Sequence, residues 1–229
     1  MNLILKLSEE LLHNVKLNLP YENEVHQLSK LKYKNIIVKL ATDNHKKAFW
    51  INIYNSFYQI LAKQYKEDGI IDKNIYKTKS IIIASKRFSL DSIEHGILRK
   101  RKFVIGFGYL YNPFYPKFIE KLSVRVLDYR IHFALNCGAI SCPPILVYDY
   151  DKIENQLELA THSFIESETI LIENDKKIKT SRLFLWYLGD FGNFKKVKQI
   201  IGKVFHKNLS KFKISFQKYN WTKQLHNFK

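Results

Sequence analysis

Three side chains suited to nucleophilic chemistry, His132, Cys137 and Cys142, fall within eleven residues of one another. A thiolate attacks, an imidazole takes the thiol's proton, and a carboxylate or amide holds the ring in one orientation, so these residue types point to thiol-dependent acyl chemistry. Gly138, Pro143 and Pro144 break the stretch into a sharp, irregular turn of the kind that presents side chains. Cys142 precedes Pro143, so its backbone is expected to be extended, and Pro143 is placed to open a helical turn whose N-terminus would stabilise a Cys142 thiolate. Cys142 is therefore the first candidate nucleophile and Cys137 the second. On an ideal strand His132 and Cys137 would face opposite sides, being an odd number of positions apart.

A second group, Glu94, His95 and Arg99, lies upstream. Residues 90–100 read as a helix in which Asp91 and Glu94 form an acidic capping box, Asp91, His95 and Arg99 share one face, and Glu94 points elsewhere beside Leu98. Brought near the cysteines, His132 or His95 would serve as the base and Glu94 as the orienting carboxylate. Each residue also has a structural reading: two small buried cysteines in a tight turn, a hydrogen-bonded core histidine, a helix cap and a charge ladder. A zinc site from His95, His132, Cys137 and Cys142 would need cysteine spacing at the edge of the usual range and has no second cysteine pair. No metal and no cofactor are expected.

The elements that must position these groups are legible in outline. An amphipathic helix starts near Ser8, a second apolar stretch covers residues 25–40, and Asp43 is placed to cap a helix over 45–65 that ends in an Asp68-Gly69 turn. That helix is apolar nearly all round, so its stripe of Ala48, Asn52, Asn55 and Gln59 predicts buried amides in need of partners. Residues 81–84 read as a strand, 103–117 as an aromatic loop packed by its own rings, and 130–137 as β-like. Residues 150–166 read as a helix, 169–174 and 176–180 as a hairpin turning at Asp175, and 212–216 as a last strand. Helices with a small, mainly antiparallel sheet make an α+β fold.

Composition bounds the rest. The chain has 229 residues, 46% of them hydrophobic, with eight glycines and five prolines, which excludes disordered and repeat classes. Apolar runs are too short for a transmembrane helix and no secretory signal is evident, so cytoplasmic residence and free thiols are expected. The net charge is +17, and no Asp or Glu follows Asp190, while the last 39 residues carry ten lysines. Such a tail would meet an acidic partner through salt-sensitive contacts, yet no nucleic-acid motif accompanies it.

The motifs around Ala48 to Asn55, Ile93 to Arg99 and Asp128 to Pro144, with Ser181 to Tyr187, Asp190-Phe191 and Tyr219-Asn220-Trp221, resemble the family known as domain of unknown function 547. The resemblance runs from about residue 46 onward, implying an N-terminal helical extension over 1–45 and a single domain over 46–229; Asn220 stands where the family carries an acid. It sets polar groups inside aromatic motifs, as a site would. The expected function is a thiol-dependent hydrolase or acyl transferase, cysteine-peptidase-like in the manner of papain or transglutaminase by analogy alone. Its substrate would be amide-like, peptide-like or thiol-containing. Cys142, Cys137, His132, His95 and Glu94 would do the chemistry. Asn52, Asn55, Arg99, Arg130, Asn136 and Trp186 would meet the substrate, the asparagines as donors and the arginines as clamps on a carboxylate. The rival reading is a non-catalytic binding or scaffold module with a basic C-terminal face.

Overall fold

A computed structural model describes residues 2–67 and 74–228. Helix α1 (Leu3–Lys16) starts under an Asn2 cap and buries Ile4, Leu5, Ser8, Leu11, Leu12 and Val15, the spacing of a single helical face. It starts five residues earlier than the apolar periodicity predicts. The apolar stretch that follows is two helices, α2 (Glu22–Lys30) and α3 (Tyr33–Lys39), broken at Leu31. Next comes α4 (Asp43–Glu67), with Phe49, Trp50, Ile51 and Ile53 inaccessible to solvent. Asp43 is the first residue of this helix and not its cap. Thr42 Oγ1 accepts from His45 N, while the Asp43 carboxylate receives the backbone N–H groups of Arg125 and Val126 at 2.8 and 2.9 Å. The expected Asp68-Gly69 turn lies outside the described residues.

Strands β1 (Ile81–Ile83) and β2 (Lys86–Phe88) form a hairpin through Ala84 and Ser85, both at positive φ, as a two-residue turn of this hand demands. What reads as an α-helix over 90–100 is a π-helix, Ser92–Leu98, marked by Arg99 N to Glu94 O at 2.7 Å, and Asp91 makes no capping bond. The wider winding changes which side chains share a face. Helix α5 (Lys117–Leu122) packs on it, and the predicted strand over 130–137 is a 3₁₀ turn, Tyr129–Phe133, started by an Asp128 cap. No helical turn opens at Pro143.

Helix α6 (Ile153–Glu168) leads into β3 (Ile170–Ile172) and β4 (Lys177–Thr180), which pair antiparallel as predicted. Short helices α7 (Leu183–Trp186) and α8 (Leu188–Phe191) and the longer α9 (Phe194–Val204) precede β5 (Lys213–Phe216), which lies parallel to β4 with Ile178 opposite Ile214. The class is α+β. Two apolar cores result. One surrounds α1 and α4; the other is built on Phe133, Phe164, Phe184, Phe191 and Ile201, and the half-buried Leu146 packs against both. Among the described residues no helix is long and apolar enough to cross a membrane.

The loop over 103–117 departs from expectation. Its rings do not bury one another: Val104, Ile105, Phe107, Tyr109, Leu110, Tyr111 and Phe114 are all exposed.

Candidate functional site

A guanidinium with no solvent exposure must be paired, and Arg99 is 0% exposed. Its Nε donates to Asp190 Oδ2 at 2.6 Å, its Nη1 donates to His95 Nδ1 at 2.7 Å, and its charge lies over the Tyr187 ring at 4.6 Å. A guanidinium can only donate, so His95 Nδ1 accepts and the ring is the neutral Nε2–H tautomer. Burial pushes His95 down to about 4, against the pull of Glu94 and with help from Arg99, which agrees with that assignment.

Asp190 Oδ2 also meets His132 Nε2 at 2.9 Å. Burial would raise the Asp190 carboxyl, but the bonds and charges of His132 and Arg99 outweigh it and hold the group below the usual carboxylate range. Asp190 is therefore a carboxylate at neutral pH and His132 Nε2 is a donor, which leaves Nδ1 as the nitrogen that can exchange a proton. The imidazole is stacked on Tyr187, with centroids 3.9 Å apart and an 18° interplanar angle. The π-helix turns Glu94 toward this group and away from the orientation its sequence spacing predicts. Its Oε1 accepts from the Tyr187 hydroxyl at 2.9 Å and stands 3.6 Å from His95 Nδ1. Burial works against ionisation of Glu94, but His95, Arg99, His132 and the Tyr187 hydroxyl together hold its carboxyl below the ordinary range.

Cys137 and Cys142 are joined as a disulfide, with Cα atoms 6.3 Å apart, which replaces the free thiols expected from the sequence. Gly138 makes the approach feasible. It sits at φ +74°, and a Cβ there would strike the Tyr58 hydroxyl. Cys142 Sγ receives the Cys137 backbone N–H at 3.2 Å and the Tyr219 hydroxyl at 3.3 Å. Both sulfurs line a small cavity of about 50 Å³ together with Glu94, His132, Tyr54, Tyr187 and Tyr219. The strand-parity argument that would separate His132 from Cys137 lapses, because His132 sits in a 3₁₀ turn.

The residues expected to meet a substrate divide sharply. Arg99 belongs to the buried ion group. Asn52 bonds Tyr148 at both ends of its amide, Nδ2 to O at 2.8 Å and Oδ1 from N at 2.9 Å. Asn55 does the same between Ala134 O and Asn136 N, and Asn136 ties Pro143 O to Gly138 N. Arg130 pairs with Asp128 and Glu154, where the buried Lys47 joins them in a partly buried ion-pair network. Trp186 stacks on Trp221 and meets Tyr219 at a tilt of 60° beside the cysteine turn. In the basic tail, Lys203 and Lys207 pair with Glu158 and Glu173, while Lys195 and Lys196 are exposed.

The sequence motifs place Asp190 among their site-like polar groups without giving it a chemical role, and give Tyr187 and Tyr219 none. The signal was present but weak: Asp190 is the last acid of the chain, inside an aromatic motif. Gly108 adds to it, because its φ is +82° and a Cβ would lie 2.7 Å from Asp190 Oδ1, so only glycine lets the loop approach. Arg99 Nη2 and Asp190 Oδ1 have no hydrogen-bond partner among the described residues. Nor, among those residues, does any group of three His, Cys, Asp or Glu side chains suit a metal ion.

A family model described as "Protein of unknown function, DUF547" matches residues 38–165. It starts earlier than residue 46 and ends before Asp190 and Tyr219. No curated protein and no solved structure matches the chain.

Proposed function

The chain belongs to the DUF547 family, whose description assigns no reaction, and from its own geometry we propose a thiol-dependent hydrolase or acyl transferase. The observation that carries this reading is His132, bonded through Nε2 to a buried carboxylate and lining one cavity with both cysteines. Cys142 is the nucleophile once a small thiol has reduced the disulfide, because the Cys137 N–H and the Tyr219 hydroxyl are donors that favour its thiolate. His132 takes the Cys142 proton, Asp190 orients and stabilises the imidazolium, and Cys137 is the resting-state partner.

Glu94 and His95 act at one remove. Glu94 fixes the Tyr187 hydroxyl beneath the His132 ring, and neutral His95 buttresses Arg99. Asn52, Asn55 and Asn136 are positioning residues, with their amides committed to backbone. The substrate is an acyl compound, amide or thioester, narrow enough to reach a cavity of this size. The rival scaffold reading would leave the His132–Asp190 pair without a task.

The test is acylation. Reduced protein treated with an activated acetyl ester should release the leaving group in a burst and carry the acetyl group on the Cys142 peptide. Cys142→Ala should lose both signals, and His132→Ala should slow the burst about a hundredfold or more. A burst that survives in Cys142→Ala, Cys137→Ala and the double variant would refute the proposal.

A further inference from the structure

Between His95 and Ile119 the chain carries Arg99, Lys100, Arg101, Lys102 and Lys117 but no acid, and within that stretch stands the exposed apolar loop. Soluble surfaces scatter large apolar side chains singly; here Val104, Ile105, Phe107, Tyr109, Leu110, Tyr111 and Phe114 are exposed within eleven residues, Phe114 at 84% and Ile105 at 72%. The exposure is built in. Phe103 N bonds Leu110 O at 2.9 Å, Asn112 N bonds Arg101 O at 2.7 Å, and Tyr109 N closes the tip on Gly106 O at 3.0 Å, so the segment is a braced hairpin. Its tip is anchored to α8 and the residue that ends it: Gly189 N donates to Phe107 O at 2.7 Å, and the Tyr109 hydroxyl donates to Gly192 O at 3.1 Å.

The surroundings are cationic. Lys100, Lys117 and Lys121 flank the hairpin, and Lys195 and Lys196 follow the anchor at Gly192; all five are exposed and have no ion-pair partner among the described residues. Glu120, the nearest acid in sequence, is neutralised by Arg101 at 2.8 Å. Tyrosines stand among the aliphatic tips, an amphipathic mixture suited to a boundary between water and hydrocarbon.

We propose that the hairpin over residues 103–114 is a membrane-surface docking element, which inserts its apolar tip between lipids while Lys100, Lys117, Lys121, Lys195 and Lys196 engage anionic headgroups. Apolar side chains are exposed on both arms of the hairpin, which suits a fluid apolar phase that closes round it; a protein groove would cover one face. The single-sign charge around the tip is complementary to an acidic lipid surface and gives binding that weakens with salt. This inference is independent of the thiol reading, since docking needs neither cysteine.

Full-length protein would be sedimented with mixed phosphatidylglycerol and phosphatidylcholine vesicles, with pure phosphatidylcholine vesicles, and alone. Binding to the mixed vesicles is expected, at least about tenfold weaker on neutral vesicles or in high salt. The triple variant Ile105→Ser, Phe107→Ser, Phe114→Ser should lose binding about tenfold or more with an unchanged melting temperature, since all three side chains are exposed. Ile105→Trp should gain a blue-shifted fluorescence component with vesicles. Equal binding to neutral vesicles, full retention in the triple variant, or no binding to the mixed vesicles would each overturn the proposal. So would a dimer in solution that the triple variant abolishes without any vesicle binding by the parent.

Discussion

Two buried polar clusters approach each other in sequence only at His132 and Asn136, four residues apart, and behave differently. In the amide cluster, Asn52, Asn55 and Asn136 each use both ends of the amide on backbone groups, and every bond is between 2.7 and 3.0 Å. In the ionic cluster of Glu94, His95, Arg99, His132 and Asp190, two polar atoms have no partner among the described residues and two members line a cavity with the cysteines. Polar burial is common to both, so it does not mark a site. Ionisable side chains that border a cavity with two cysteines do. The amides hold the 3₁₀ turn and the cysteine turn against α4; the ionic cluster holds two imidazoles, His95 and His132, in chosen tautomers.

The largest effect should come from cutting the ionic cluster. Arg99→Ala leaves Asp190 as a buried, half-compensated carboxylate and should destabilise by about 3–5 kcal/mol in urea unfolding. A loss below about 1 kcal/mol would mean that the pair is not sealed from water. Asn55→Ala strands Ala134 O and Asn136 N and should cost about 2–4 kcal/mol, without altering the pH dependence of stability. If it instead shifts that dependence, the two clusters are coupled and the comparison fails.

Titration sharpens the contrast. Burial and the nearby Glu94 charge push Asp91 up to about 6, so in the folded state it stays protonated where the unfolded chain has lost its proton. That contribution is present below the unfolded pKa, about 4, and is lost as pH rises to 6. Asp91→Asn should therefore gain on the parent across that window, reaching about 2 kcal/mol at pH 6. His95 has the opposite sign: depressed to about 4, it adds stability above its unfolded pKa of about 6.5 that is lost as pH falls toward 4. Asp91→Asn should expose that slope, measured as urea midpoints from pH 4 to pH 7. The smallest effect is expected at Ile105→Ser, within about 0.5 kcal/mol, because the side chain is already in solvent.

The amide stripe was legible because α4 is a regular helix, in which 3.6-residue spacing translates directly into a face. The ionic cluster was only half legible. Asp91, His95 and Arg99 do sit together, but the π-helix swings Glu94 into the group, and the 3₁₀ turn at Tyr129–Phe133 removes the alternation that a strand would impose on His132 and Cys137. Local periodicity assumes one winding, and both segments use another. The pairing of Asp190 was hidden for a different reason: it lies 91 residues from Arg99 and 58 from His132, a separation over which spacing carries no geometric information. The disulfide was missed on an argument from short-loop entropy and compartment, which says nothing of how close the turn at Gly138 brings the two cysteines.

The account rests on His132 and Asp190 acting together on Cys142. After reduction, the alkylation rate of Cys142 should be followed by mass spectrometry from about pH 4 to pH 10 in the parent, His132→Ala and Asp190→Asn. An unperturbed thiol titrates near pH 8.5. The predicted result is a thiolate reacting well below that pH in the parent, a return to ordinary titration in His132→Ala, and an intermediate profile in Asp190→Asn. Ordinary titration of Cys142 in all three proteins would contradict the account.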